Sequence, residues 1–280
     1  MTALAWPSFR ARLALGGTLA LALLAIVETL VALVAPSRAP TDADWDAAAA
    51  AVRQAFRHGD LIVAAPAWAD PILRVHLGDL IPPEVAARMD DARYARVWEI
   101  SQRGARSPEG TRGEVRLDQA YGRLRVRLIE RQAPIVTYDF LAHVGEARSA
   151  PQGSIGPPAT DLQRKIVEVD QRLRLAIMLQ PVAGRAVVVE FPAVPLGREL
   201  AIATGLHDTW MRKAARGTVQ AQLVIGERRV PLPETSNDSG WTETRVDTAA
   251  EDGRTLPVRL EISSAAPLDR FFAFAAEARR

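Results

Sequence analysis

The sequence predicts an α+β protein in three parts: one N-terminal transmembrane helix, a small α/β domain and a C-terminal antiparallel β-sandwich of jelly-roll type. Three observations carry this. Residues 13–35 form an almost unbroken apolar run. Between residues 40 and 144, helix-like and strand-like segments alternate. Beyond residue 164, apolar and polar residues alternate with period two, the pattern of strands that bury one face.

The run from Leu13 to Ala35 holds one charge, Glu28. At about 1.5 Å per residue it is roughly 34 Å long, enough to cross a hydrocarbon core of roughly 30 Å. Arg10 and Arg12 precede it, whereas Arg38 on the far side is followed by Asp42, Asp44 and Asp46. The positive-inside rule therefore places residues 1–12 in the cytoplasm and the body outside it, in the periplasm. A cleaved signal peptide is the competing reading, because Leu33-Val34-Ala35 fits a small-residue cleavage site. The run is longer than a usual signal core and Pro36 would follow the cut directly, which favours a retained, single-pass anchor. Both readings put the body outside the cytoplasm. A carboxylate within the bilayer generally faces a protein partner or is protonated, so Glu28 points to an intramembrane contact, although a single-pass helix near its exit also tolerates one.

Composition narrows the function classes. The chain has 280 residues, 48% of them hydrophobic and 24% charged, enough for two domains after the anchor. It has no cysteine, which removes disulfides, thiolate metal sites and cysteine nucleophiles. The net charge is only +2, and no basic tract interleaved with aromatics occurs, so nucleic acid is not an expected partner.

The α/β domain, residues 40–144, opens on Thr41-Asp42-Ala43-Asp44, which has capping-box spacing. Trp45, Ala49, Val52 and Phe56 then share a helical face, and Gly59 ends the helix. Residues 60–65 read as a buried strand. Helices are predicted at 70–79 and, started by Pro82 and Pro83, at 83–92. Further strands are predicted at 97–100, 124–129 and 135–140, with a polar loop at 103–113 and a mainly parallel sheet. A proline-, glycine- and serine-rich stretch makes 145–163 the linker. In the sandwich, 164–280, strands are predicted at 171–179, 185–191, 199–204, 219–225, 241–247, 258–263 and 270–276.

Two clusters could hold a ligand. Trp68, Asp70 and Arg74 follow the first strand, at the carboxyl end where α/β sheets gather ligands, and a tryptophan face beside a carboxylate suits a sugar ring. The bland alternative makes Asp70 cap the helix beginning at Pro71, with Trp68 packed beneath it and Arg74 paired nearby. His207, Asp208 and Trp210, with Asp238 and Trp241, lie in or beside sandwich loops and offer the stacking and hydrogen bonding by which carbohydrate-binding modules hold sugars. Overlapping D-x-D spacings at Asp42, Asp44 and Asp46 are explained by capping, without metal. His58, His76, His143 and His207 have no metal-site spacing, and neither a nucleophile elbow nor a phosphate loop occurs. No cofactor and no metal is expected.

A resemblance can be stated on these residues. Asp44-Trp45 through Trp98-Glu99-Ile100-Ser101, with Gly59-Asp60-Leu61-Ile62-Val63, Pro66-Ala67-Trp68 and Tyr94-Ala95-Arg96-Val97-Trp98, resembles the extracytoplasmic α/β domain of polytopic polyprenyl-phosphate-sugar glycosyltransferases. Val194-Pro195-Leu196-Gly197 through Gly205-Leu206, Gly240-Trp241 and Arg270-Phe271-Phe272-Ala273-Phe274 are similar to galactose-binding-like β-sandwich modules. The catalytic membrane bundle of those transferases is absent. The resemblance thus implies a sugar-linked envelope setting without transferase activity.

These readings converge on a non-catalytic, membrane-anchored protein that binds envelope glycan or assists a polytopic glycosyltransferase. The enzymatic alternative needs two carboxylates among Asp60, Asp70 and Asp208 to meet in one cleft. A purely structural protein would bury Trp68, Trp210 and Trp241.

Overall fold

The computed structural model describes residues 9–34, 39–151, 161–182, 184–207, 217–266 and 270–280, with side chains from residue 16 onward. Helix α1 (Phe9–Val34) contains the stretch Gly16–Val34, which is long and apolar enough to cross a membrane and has none of its window buried. It fits a single-pass anchor or a signal sequence. Glu28 is exposed on it. The Thr29 hydroxyl donates to the Ala25 carbonyl at 2.7 Å, so this polar side chain is satisfied within the helix.

Helix α2 (Asp42–Ala55) begins with the predicted capping box: the Thr41 hydroxyl accepts from the Asp44 amide, and the Asp44 carboxylate accepts from the Thr41 amide. Its buried face is Trp45, Ala48, Ala49 and Val52. Then come β1 (Leu61–Ala65), α3 (Asp70–Leu77), α4 (Pro83–Ala86), β2 (Arg96–Gln102), β3 (Glu114–Tyr121) and β4 (Leu124–Glu130). They form one sheet in the order β1-β2-β4-β3. The sheet was expected to be mainly parallel, but only β1 and β2 run parallel; β2–β4 and β3–β4 are antiparallel. The reason is the tight turn at Gly122, which returns the chain as a hairpin where a parallel neighbour would need a crossover. Gly122 has φ +56°, and a Cβ there would lie 1.8 Å from the Asp44 carboxylate, so the turn docks on the start of α2 only as glycine.

Helices α2 and α3 cover one face of this sheet, where Trp45, Leu73 and Leu77 meet Ile62, Trp98 and Val126. The opposite face buries Leu61, Val63, Val97 and Ile129 against Tyr94. Burying such side chains contributes about 1.5–3 kcal/mol each.

The C-terminal part is an antiparallel β-sandwich, as the period-two alternation predicts. Its strands are β5 (Val136–Asp139), β6 (Arg148–Pro151), β7 (Gln163–Val169), β8 (Arg172–Leu179), β9 (Val187–Pro195), β10 (Glu199–Leu206), β11 (Val219–Ile225), β12 (Arg228–Pro231), β13 (Thr242–Asp247), β14 (Thr255–Ser264) and β15 (Phe272–Arg279). One sheet runs β13-β10-β15-β8-β7 with β5 also on β15; the other runs β12-β11-β14-β9-β6. Between them lies a core in which Phe140 packs edge-on against Phe191 at 4.7 Å and Phe272, Phe274, Val189 and Leu260 are buried. The strand expected at 135–140 as part of the first sheet is β5, and it pairs with β15 in the sandwich. Tyr138 and Phe140 supply the reason, since both belong to the sandwich core.

The α/β layer rests on the outer face of the β13-β10-β15 sheet. Ala201, Ala203 and Ala275 keep that face shallow, and Met89 lies buried on it. Polar links reinforce the seat. Arg279, 1% exposed in its side chain, bonds both Asp90 oxygens at 2.8 Å and Glu277 at 2.8 Å, while Arg93 reaches Glu277 at 2.8 Å and Asp139 at 3.2 Å. The Leu175 amide donates to the Ala87 carbonyl at 2.6 Å. These contacts explain why the helix predicted at 83–92 stops at Ala86: the backbone at Ala87 and the side chain of Asp90 are committed to the sandwich.

Candidate functional site

Between the α/β layer and the sandwich opens a cleft of about 660 Å³. One wall is built by the end of β1, the start of α3, residues 86–91 and the loop 106–112; the other is Arg172, Leu173 and Arg174 of β8 with Glu243 of β13. Its volume is within the range of small-molecule sites.

Buried charge fixes the loop wall. Glu99, on β2 and fully buried, binds the Arg127 guanidinium on neighbouring β4 at 2.5 and 3.1 Å through one oxygen. Its other oxygen accepts from the Ser107 amide at 2.7 Å and the Ser107 hydroxyl at 2.9 Å. A carboxylate taken out of water is stable only when paired and hydrogen-bonded, and here the same bonds anchor the loop that carries Arg106, Glu109 and Arg112. Arg106 approaches Glu99 at 3.6 Å.

Ala67 and Asp70 also line the cleft, and Trp68, next to Ala67 in the chain, is 60% exposed. Asp70 is the first residue of α3, and its carboxylate takes the Arg74 guanidinium one turn on, at 2.6 Å; it makes no capping bond. The structure thus brings Asp70 and Arg74 together at the cleft, whereas Trp68 is exposed and is not among the residues that line it. Trp68 does not pack beneath the helix, and the purely structural reading, which needs it buried, loses one of its three tryptophans. Asp60, considered as an acid–base group, is buried and accepts from the Trp98 indole at 2.8 Å and the Arg57 amide at 2.9 Å.

In the sandwich, Asp208 and Trp210 lie outside the described residues. His207 follows β10, its Nδ1 3.1 Å from the Glu168 carbonyl. Asp238 sits in the turn 236–239, where its amide bonds the Ser236 hydroxyl. Trp241 precedes β13 and lies across Gly205, with its indole donating to the Arg172 carbonyl at 3.0 Å and the Arg174 guanidinium 5.3 Å above its ring. One ring face is therefore covered by a cation and the other by the sheet. Trp241 supports Arg174 at the cleft.

The arginines Arg88, Arg106, Arg112, Arg172 and Arg174 escaped the sequence reading. The signal lay in Arg172-Leu173-Arg174, where a strand puts two cations on one face, but only the fold shows that this face looks at the α/β layer. Among the described residues, no group of three or more His, Asp or Glu side chains is arranged to hold a metal.

No protein-family model matches the chain, and no curated protein matches it. Solved structures overlap parts of it. They include TmCBM61 in complex with beta-1,4-galactotriose (TM-score 0.34, 10% identity, 52% of this chain and 99% of that one). CBM51 from Clostridium perfringens GH95 in complex with methyl-galactose gives TM-score 0.30 and 8% identity over 54% of this chain and 95% of that one. The CBM51-2 and INT domains of Clostridium perfringens ZmpB give TM-score 0.34 and 10% identity over 47% of this chain, which spans only 30% of the length of that structure. At these values the overlap assigns neither family nor ligand.

Proposed function

We propose that this is a membrane-tethered, non-catalytic envelope protein that binds saccharide in the cleft between its two layers. The observation that carries the reading is a large aromatic face, Trp68, 60% exposed and two residues before Asp70, which with its partner Arg74 lines a cleft of about 660 Å³. A sugar offers a weakly polar face to an indole and hydroxyls to a carboxylate or guanidinium, and this grouping supplies all three. Helix α1 supports the tether, and the body then stands outside the cytoplasm.

The test is binding of full-length protein in detergent to a glycan array, beside Trp68→Ala. Saccharide binding that Trp68→Ala weakens severalfold or more supports the reading, since ring packing on an aromatic face is worth on the order of 0.5–1.5 kcal/mol. Binding to no glycan overturns it. A second role is docking onto a polytopic glycosyltransferase through Glu28, the one charge in the apolar span, since a carboxylate within a bilayer favours a protein partner. Co-purification of such an enzyme that Glu28→Leu abolishes supports that role, and recovery of the bait alone refutes it.

A further inference from the structure

The cleft is lined by six arginines, Arg74, Arg88, Arg106, Arg112, Arg172 and Arg174, drawn from both layers. Five carboxylates line it too, which would cancel the field of a simple cluster, but each is already engaged. Asp70 holds Arg74, Glu109 holds Arg88 at 2.6 Å, and Glu243 holds Arg174 at 2.5 Å. Asp91 holds Arg131 at 2.7 Å and Asp90 holds Arg279, both outside the cleft lining. Two of these five acids thus spend their charge on arginines that do not face the cleft. On the other side of the balance, Arg112 and Arg172 make no ion pair or side-chain hydrogen bond among the described residues, and they approach from opposite walls. Arg174, the most buried of the six, keeps its Nη1 shielded from solvent with no hydrogen-bond partner. A buried guanidinium nitrogen without an acceptor is costly.

We infer that the cleft takes an acidic saccharide, one bearing a carboxylate or phosphoryl group that Arg112 and Arg172 clasp from opposite walls while its ring lies toward Trp68. The inference rests on the saccharide reading and adds the charge class of the ligand. Planar guanidinium forks suit both anions, because two parallel N–H donors meet two oxygens. Trp241 has a part in this arrangement: its ring beneath Arg174 steadies a cation that would otherwise repel Arg172, whose own backbone carbonyl holds the Trp241 indole.

The experiment is isothermal titration calorimetry on the full-length protein in detergent with matched probes: galactotriose against tri-galacturonate, and galactose against galactose 6-phosphate and galacturonate, with inorganic phosphate as the non-sugar control. The acidic member of each pair is expected to bind about tenfold tighter or more, as charge-assisted hydrogen bonds do, with an advantage that shrinks as salt is raised. Whether galactose 6-phosphate or galacturonate is preferred identifies the anion. Arg112→Gln and Arg172→Gln are surface changes that spare the fold, and each should erase most of the affinity difference between the acidic and neutral members of a pair. Equal affinity for neutral and acidic members overturns this inference and leaves the saccharide reading standing. Failure of every saccharide overturns both, and binding of inorganic phosphate alone overturns both as well.

Discussion

At the scale of single residues, the interior charges decide both stability and the shape of the site. Glu99→Ala leaves the Arg127 guanidinium buried without its partner and unpins Ser107, so unfolding by urea should show a loss of about 3–5 kcal/mol. Trp68→Ala, by contrast, removes an exposed side chain and should change stability by no more than about 0.5 kcal/mol while lowering saccharide affinity. The interlayer acids give a pH signature. Burial opposes ionisation of Asp90, but the Arg279 hydrogen bonds and charge outweigh it and hold the carboxyl below its ordinary 3.8. Its contribution is present above 3.8 and is lost as pH falls through the lower folded value. Burial wins at Glu277, raising it above its ordinary 4.5 despite Arg279 and Arg93. Its contribution is complete below 4.5 and is lost as pH rises through the higher folded value. Urea midpoints across this range should fall on both sides, and Glu277→Gln should remove the decline on the upper side alone; a profile unchanged by that substitution would refute the assignment.

At the scale of elements, glycine marks the close approaches. A Cβ at Gly197 would lie 2.0 Å from the Arg279 carbonyl, so Gly197→Ala must push β15 away and should cost about 1–3 kcal/mol, read as a lowered melting temperature. Most elements were legible from the sequence because their faces are dry: Leu61 to Ala65 is buried throughout, and Val219, Ala221 and Leu223 alternate with Gln220 and Gln222. Strand β3 was not, since it lies at the sheet edge, mostly exposed, and its alternation is short, Val115 and Leu117 between Glu114, Arg116 and Asp118. The short β6 and β12 and the hairpin strand β7 were hidden for related reasons, with Lys165, Arg228 and Arg229 breaking the pattern. The parallel sheet was overcalled because alternation of helix and strand says nothing of direction when a turn as short as Gly122 intervenes.

At the scale of the whole molecule, the candidate site is a product of assembly. Trp68, Asp70 and Arg74 could be grouped from the sequence because they lie within seven residues, Asp70 and Arg74 one helical turn apart. Arg112 and Arg172 could not, because sixty residues separate them along the chain and only the seating of the α/β layer on the alanine-lined sheet puts them on facing walls. That seating depends on Arg279, whose Asp90 partner lies 189 residues away. Replacing Arg279 with methionine should loosen the layers, and saccharide affinity should fall even though no cleft-lining side chain has changed; affinity unaltered in a folded Arg279→Met protein would show that the cleft is not the site. The most direct measurement of the central claim is a saccharide titration of the full-length protein in nanodiscs followed by the tryptophan indole N–H signals in NMR, with Trp68 assigned by Trp68→Phe. The account predicts that the Trp68 signal moves in step with binding while those of Trp45 and Trp98, buried beneath the helices, hold still. Saturable binding that leaves Trp68 unmoved would contradict it.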